Sequence, residues 1–343
     1  MINTGLYGRK YLDVQIKEKE LGKPDFNEAI VKVHACGVCG TDMNFLKQWT
    51  GEAMPLGHEI AGEVMETGTG VKNVKPGDQV VVEDCTMCGI CVNCKNGRPD
   101  LCTHKYDLEG YPGMGQYLKV KYNSLIKYEG IDYIDACLTE PLTVALNAVL
   151  DAQIPIHGSV AILGCGPLGL MAAQIAKLRG AGFIAMTDIN LAGVPGRART
   201  TMACRMGADL VLDSAREDIN SMIRAKFPMG VDRVIVTSPP ETIRDALKII
   251  AYGGKITFFG LHFGGKNVVD IDINHLIFNK ITLSPFFGEP AINFNVSLDL
   301  IRSGKVSIRE MITHSFNFSD AKQLLTSIAE GQEAVVKAIM LPN

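Results

Sequence analysis

The sequence predicts an α/β protein in two parts, an antiparallel, barrel-like domain and a doubly wound parallel sheet, and three observations carry the prediction. Residues 1 to about 125 alternate short β-rich runs (AIVKVHA, IAGEVMETG, DQVVVED, GQYLKVKY) with Gly, Pro and Asn, as short strands joined by turns do. From about 150 to 285, strand-like SVAILG, GFIAMTD, ADLVLD, RVIVTS and KITFFG are separated by helix-length stretches such as LGLMAAQIAKLRG and PETIRDALKIIAYGG. Strands joined through crossover helices run parallel, so this half reads as a doubly wound sheet. The tail offers two helical stretches, NVSLDLIRSGK and SDAKQLLTSIAEG, and a last strand, AVVKAIML. It is too short to bury a core of its own and is expected to return to the first domain. The expected bounds are 1–150 for the first domain, with a cysteine-rich lobe at about 85–102, then 151–285 for the parallel sheet and 286–343 for the return.

Composition narrows the partners. The 343 residues are 47% apolar, enough for a large core, and the net charge of −3 comes from well-mixed acids and bases. No basic block suits a phosphate backbone, so nucleic acid is not an expected partner. The N-terminal MINTGLYGRKYLDV lacks the apolar centre of a secretory signal, and no run reaches the roughly 18 apolar residues of a membrane span. The chain therefore reads as a soluble cytoplasmic protein without a membrane partner.

Ten cysteines in a reducing compartment point to metal binding or catalysis before disulfides. In CGICVNCKNGRPDLC, Cys88, Cys91, Cys94 and Cys102 follow one another at gaps of three, three and eight on a turn-rich loop. Four thiolates so spaced can close around one tetrahedral zinc and leave no open position, which is the chemistry of a structural site. Cys85 is not needed as a fifth ligand. Cys36, Cys137, Cys165 and Cys204 lie among apolar neighbours and read as small core residues.

Gly164, Gly166 and Gly169 form G-x-G-x-x-G in GCGPLG, with Pro167 and Leu168 between them. The motif follows an apolar strand and opens an Ala-rich helix, and Asp188 ends the next strand nineteen residues after Gly169. Glycines permit a tight turn and close backbone approach, the helix N-terminus faces a pyrophosphate, and the acid accepts from a ribose hydroxyl. A carboxylate at Asp188 would repel the 2′-phosphate of NADP, so NAD is favoured. Arg197 and Arg199, in the loop LAGVPGRART, are read first as ordinary surface charges and second as phosphate ligands.

A second constellation lies in HACGVCGTDMN, PLGHE and TEPL. Cys39, His58 and either Glu59 or Glu140 would supply a thiolate, an imidazole and a carboxylate, and three protein ligands leave a catalytic zinc one open position. Spacing alone does not join residues so far apart.

CGVCGTD, GHE, the CGICVNCKNGRPDLC lobe, EPL and GCGPLG stand in the order found in the zinc-dependent medium-chain dehydrogenases, the alcohol and polyol dehydrogenase superfamily, and the chain resembles that family over nearly its whole length. The resemblance implies a GroES-like barrel as catalytic domain, a Rossmann domain inserted before the tail, and two zinc ions per subunit. It makes Cys39 and His58 ligands of the catalytic zinc, with Glu59 binding directly or through water. Glu140 stands where polyol and glucose dehydrogenases carry a Glu and simple alcohol dehydrogenases a Cys. Thr41 matches the hydroxyl that takes the substrate proton, whereas Asn44 replaces a His frequent in the family, and an amide cannot relay a proton. The segment between Cys39 and His58 is short for the family, and that between Asp188 and Gly207 is long.

These features imply an NAD-linked dehydrogenase acting on a secondary hydroxyl of a polyol, cyclitol or sugar, in a homotetramer or homodimer. Oxidation of L-threonine, butanediol or a simple alcohol is the alternative within the family, and a non-catalytic dinucleotide-binding protein the alternative outside it. In the implied fold Phe45, Trp49, Tyr111, Phe286 and Phe287 are candidates for a substrate pocket, balanced by roles in the core or at a subunit contact.

Overall fold

A computed structural model of the chain describes residues 1–261, 267–290 and 292–342. It divides into two compact units, one formed by Met1–Thr143, Glu289–Glu330 and Lys337–Asn343, the other by Val144–Gly288 and Gly331–Val336. The division runs through the helix Thr139–Ala152.

The first unit is built around the strand Glu28–Gly37, whose residues are almost all buried because both faces are covered. It pairs antiparallel with Glu59–Thr67 on one side and with Tyr117–Lys121 on the other, and at its far end with Lys337–Met340. The sheet continues through Gln79–Val82 to Leu125–Lys127, and the tail strand Ile312–Phe316 runs parallel to Lys337–Met340. This is the barrel-like half expected from the short β-rich runs. An N-terminal hairpin, Ile2–Arg9 with Asp13–Glu20, was not among the expected elements. Its turn puts Tyr11 and Leu12 at φ 70° and 55°, positions that turn chemistry reserves for Gly or Asn, so the sequence gives no turn signal there.

The second unit holds a six-stranded parallel sheet in the order Leu210–Asp213, Phe183–Asp188, Ser159–Leu163, Val231–Val236, Ile250–Phe258 and Thr282–Pro285. All five residues of Ser159–Leu163 are buried, as befits a central strand covered on both faces. Strand order reverses beside it, and ligands of such sheets bind at the carboxyl ends of the strands at that point.

Two expectations need correction here. The stretch PETIRDALKIIAYGG is a 3-10 turn over Pro240–Thr242 and an α-helix only over Ile243–Ile249; its second half opens the strand Ile250–Phe258, because the paired glycines, with Gly253 at φ 72°, do not sustain a helix. LAGVPGRART is not a loop: Gly193 is the N-cap of a helix, Val194–Arg205, and Pro195 falls in its first turn, where a missing N–H breaks no bond. On this helix Met202 and Ala203 turn inward and Cys204 is exposed, so Cys204 is not the core residue expected, whereas Cys36, Cys137 and Cys165 are buried. Among the described residues no helix is long and apolar enough to cross a membrane.

Candidate metal centres and dinucleotide site

The four spaced thiols converge. A turn of helix, Val92–Lys95, and a 3-10 turn, Pro99–Leu101, fold the lobe back on itself, with the Asn93 amide donating to Leu101 O at 2.6 Å. The sulfurs of Cys91 and Cys94 lie 3.5 Å apart, Cys91 and Cys102 3.9 Å, and Cys88 and Cys102 3.6 Å. A tetrahedral zinc with bonds of about 2.3 Å sets its sulfurs about 3.8 Å apart, so the lobe fits the ion. Backbone N–H groups donate to the Cys88 and Cys102 sulfurs, and such donation draws the Cys91 thiol down to about 5, favouring the thiolate a metal requires. Cys85 stands apart from the group, buried and pushed up to about 12 by that burial.

The second constellation is assembled by backbone pairing. Gly37 ends one strand and Glu59 begins its partner, and the two face each other in register. Cys39 is the N-cap of the helix Gly40–Gln48, and His58 immediately precedes Glu59. Asp42, 1% exposed, accepts from the Cys39 N–H at 2.9 Å and the Gly57 N–H at 2.8 Å, tying together the loops that carry Cys39 and His58. Ligand atoms of Cys39, His58 and Glu59 all lie within 4.8 Å of one another. Glu140, in the first turn of its helix, is not in that group, although it is buried and interacts electrostatically with all three.

The donor set suits zinc, and one atom asks for it: Oε2 of the buried Glu59 has no hydrogen-bond partner. Burial disfavours a charged His58, yet Cys39, Asp42 and Asp84 outweigh it and hold the imidazole pKa well above its ordinary value. Surroundings that stabilise a proton there would also stabilise a metal cation. Burial, then the neighbouring Asp84, drives the Glu140 carboxyl well above the carboxylate range.

Three residues here were missed by sequence reading. Asp84 and Glu289 hydrogen-bond each other within electrostatic reach of His58; burial raises both, Glu289 to about 7. Neither falls in a motif, and no sequence signal joins them. Lys337, 3% exposed, donates to Glu59 Oε1 at 2.6 Å and to Val38 O at 2.8 Å. Its signal was present: a single lysine inside the apolar run AVVKAIML has to find a buried partner.

In the second unit the glycine motif joins the strand Ser159–Leu163 to the helix Pro167–Leu178, with Gly166 as N-cap and Pro167 and Leu168 in the first turn. Gly164 adopts φ 122°. A Cβ on Gly169 would stand 1.9 Å from Gly164 O, whereas a Cβ on Gly166 would meet nothing within 4 Å. The third glycine thus lets helix and strand pack closely, and the second fronts open space at the helix N-terminus, a cradle suited to a pyrophosphate. Gly169→Ala is therefore expected to weaken dinucleotide binding at least about tenfold and to lower the melting temperature, because the helix must shift from the loop. Fluorescence titration with NADH checks it, and an unchanged Kd would show that the close approach is dispensable.

Asp188 ends its strand and accepts from the Cys165 N–H at 3.1 Å and the Ile189 N–H at 2.8 Å. Arg199 lies 3.5 Å from the same carboxylate, with its Nε buried and without a hydrogen-bond partner, while Arg197 donates to Ala192 O. Arg199 is thus engaged with Asp188 rather than an ordinary surface charge. The aromatic candidates separate: Phe45 and Trp49 form an edge contact at 6.3 Å, Tyr111 is buried with the Lys19 ammonium 4.1 Å over its ring, Phe286 meets Phe259 edge-on at 6.1 Å, and Phe287 is 59% exposed. The first three belong to the first unit and the last two to the second. Thr41 and Asn44 are half-buried in the helix after Cys39.

Residues 25–130 match the family model of the alcohol dehydrogenase GroES-like domain, and residues 167–303 that of the zinc-binding dehydrogenases. The L-threonine 3-dehydrogenase of Bacillus velezensis is 32% identical over 340 residues, covering 95% of each chain. The sorbitol dehydrogenase of Bacillus subtilis is 29% identical, covering 96% of this chain and 95% of its own. Among solved structures, an Escherichia coli oxidoreductase/dehydrogenase of unknown specificity matches with a TM-score of 0.87 at 27% identity, covering 100% of both chains. With its glycine loop at the carboxyl end of a parallel strand and its two groups of candidate metal ligands in a GroES-like domain, the chain belongs to the zinc-dependent medium-chain dehydrogenase family, enzymes of the alcohol dehydrogenase type.

Proposed function

We propose that the protein oxidises a secondary hydroxyl of a polyol, cyclitol or sugar with NAD, using zinc held by Cys39, His58 and a carboxylate, with a second zinc on Cys88, Cys91, Cys94 and Cys102. The observation that carries the substrate class is the buried Glu140 beside Cys39, His58 and Glu59. Asp84 and Glu289 add acceptors suited to a molecule with several hydroxyls. When bound, zinc supplies the Lewis acid that makes an alcohol more acidic, and the nicotinamide accepts the hydride. Thr41 accepts the hydroxyl proton while passing its own toward solvent, a role supported by its place two residues after Cys39 in the first helical turn. Asn44 does not relay it onward.

The preference for NAD rests on Asp188, which closes the site to a 2′-phosphate unless Arg199 offsets its charge. L-Threonine is the second reading, favoured by the 32% identical relative. A homo-oligomer is also proposed. It is supported by the exposed Ile273, Ile277 and Phe278 on the helix Ile273–Asn279 and by the strand Thr282–Pro285, which pairs on one side only among the described residues. Ten unpaired cysteines support a reducing, cytoplasmic setting.

The test is reduction of NAD⁺ and NADP⁺ by zinc-loaded protein across polyols, cyclitols, aldoses, sugar acids, L-threonine, butanediol and ethanol. We expect one polyhydroxy compound to dominate, with NAD⁺ preferred at least about tenfold and the preference narrowed by Asp188→Ser. Turnover confined to L-threonine or small alcohols would transfer the assignment to the second reading. Preference for NADP⁺ would overturn the Asp188 argument, and cofactor binding without turnover on any compound would count for a binding role.

A further inference from the structure

Two acids of the first unit, Asp84 and Glu289, lie within electrostatic reach of His58 without belonging to its ligand group. Both are half-buried, so solutes can reach them where they cannot reach Glu59 or Glu140, 1% and 6% exposed. The two hydrogen-bond each other, which carboxyls do only by sharing a proton. The pair therefore holds a single negative charge. Burial raises the Asp84 carboxyl, while His58, the bond to Glu289 and the backbone N–H groups of Asp84 and Cys85 work against it. Burial, and then Asp84, lift Glu289 to about 7, so the shared proton rests on Glu289 and the charge on Asp84. Lys105 also acts on Glu289, as the weakest of the influences there.

A separate observation marks the place as one that receives a ligand: the buried Oε2 of Glu59 has no hydrogen-bond partner and lies with ligand atoms of Cys39 and His58. A substrate whose reacting hydroxyl sits at that group brings its neighbouring substituents within range of the acid pair. Hydroxyls and ammonium groups can donate to carboxyl oxygens. A carboxylate or a phosphate dianion cannot, and each adds a like charge, a juxtaposition that lowers affinity about a hundredfold or more. We propose that Asp84 and Glu289 are specificity-determining residues, a proton-sharing pair that admits uncharged or amine-bearing polyhydroxy substrates and turns away sugar acids and sugar phosphates. The inference rests on the reading of the protein as a dehydrogenase of polyhydroxy compounds and narrows that substrate class by its charge.

Sharing one proton has a consequence that separates this role from a structural one. Replacing either acid by its amide leaves the other carboxyl free to ionise, so the negative charge survives. Only the double replacement removes it, while the shapes and the acceptor oxygens remain.

The experiment compares compounds that differ at one terminus: glucitol, gluconate, glucitol phosphate and glucamine, with the matching galactitol and mannitol sets. Both kcat/KM with NAD⁺ and, by calorimetry, Kd in the presence of NADH are measured for wild type, Asp84→Asn, Glu289→Gln and the double variant. In wild type we expect the acid and the phosphate to fall at least about a hundredfold below the parent polyol in both quantities, and the amine to stay within about tenfold of it. Either single variant should keep that rejection. The double variant should bring the acid to within about tenfold of the polyol, a shift in ratio that a pair serving only to hold the fold would not produce. If the double variant does not fold, Asp84→Ser with Glu289→Gln replaces it and carries the same expectation. A wild type that binds and oxidises a sugar acid or phosphate as well as the parent polyol, or a double variant that rejects them as strongly as wild type, would overturn the inference and leave the polyhydroxy reading standing. Absence of binding and turnover for every polyhydroxy compound would overturn that reading, and the inference with it.

Discussion

Cys39→Ala is expected to lower kcat/KM by about a thousandfold or more while zinc content falls from two ions per chain to one. The sulfur is the sole thiolate of its group, where it shares a 4.8 Å neighbourhood with His58 and Glu59. Its loss removes both a ligand and a negative charge. Because the Asp42 carboxylate holds the Cys39 backbone N–H, a contact that the substitution leaves in place, the local loop should keep its shape, and the remaining zinc should sit on the thiolate lobe. Metal analysis with steady-state kinetics on the best substrate checks this. Normal turnover with a single bound zinc would dismantle the assignment of the catalytic centre.

The opposite split is expected for Cys94→Ser. The lobe has little to hold it besides its thiols: Ile90 and Val92 are 73% and 68% exposed, and none of Val92–Lys95 or Pro99–Leu101 is buried. On the proposed zinc assignment, metal-coupled folding energy there would replace an apolar core, and a broken tetrathiolate should cost about 2–4 kcal/mol. That corresponds to a fall of about 5–10 °C in melting temperature for a domain of this size. One zinc should be lost, with kcat per remaining active site reduced far less than in Cys39→Ala. Unchanged stoichiometry and melting would show that the lobe stands without its ion.

The halves of the fold were legible because their periodicities differ. Buried parallel strands such as Ser159–Leu163 read as unbroken apolar runs, and the barrel strands as short runs between turn residues. Boundaries were less legible where a glycine pair followed a helical pattern, as at Ile250–Phe258, or where a proline opened a helix, as at Pro195. The thiol group was readable from spacing because its members are local in sequence. Glu59 and Glu140 were readable only within motifs, Asp84 and Glu289 not at all, and the apolar run around Lys337 called for a buried partner without naming it, because Lys337 and Glu59, 278 residues apart, are brought together by tertiary packing alone. Cys204 misled because apolar neighbours in sequence are not neighbours in space on an exposed helix.

Asp42 has a consequence for how this protein can change. It clamps the backbone at Cys39 and at Gly57, fifteen residues on from the acid, with one carboxylate. The spacing of the two ligand-bearing loops is therefore fixed by a side chain rather than by the number of residues between them. The intervening span, Met43 to Leu56, is relieved of that duty and can be shortened or rebuilt without disturbing the candidate ligands. A scaffold of this kind separates the part that must stay constant from the part that can be exchanged, so new specificities can be explored in one loop while the metal geometry is inherited intact.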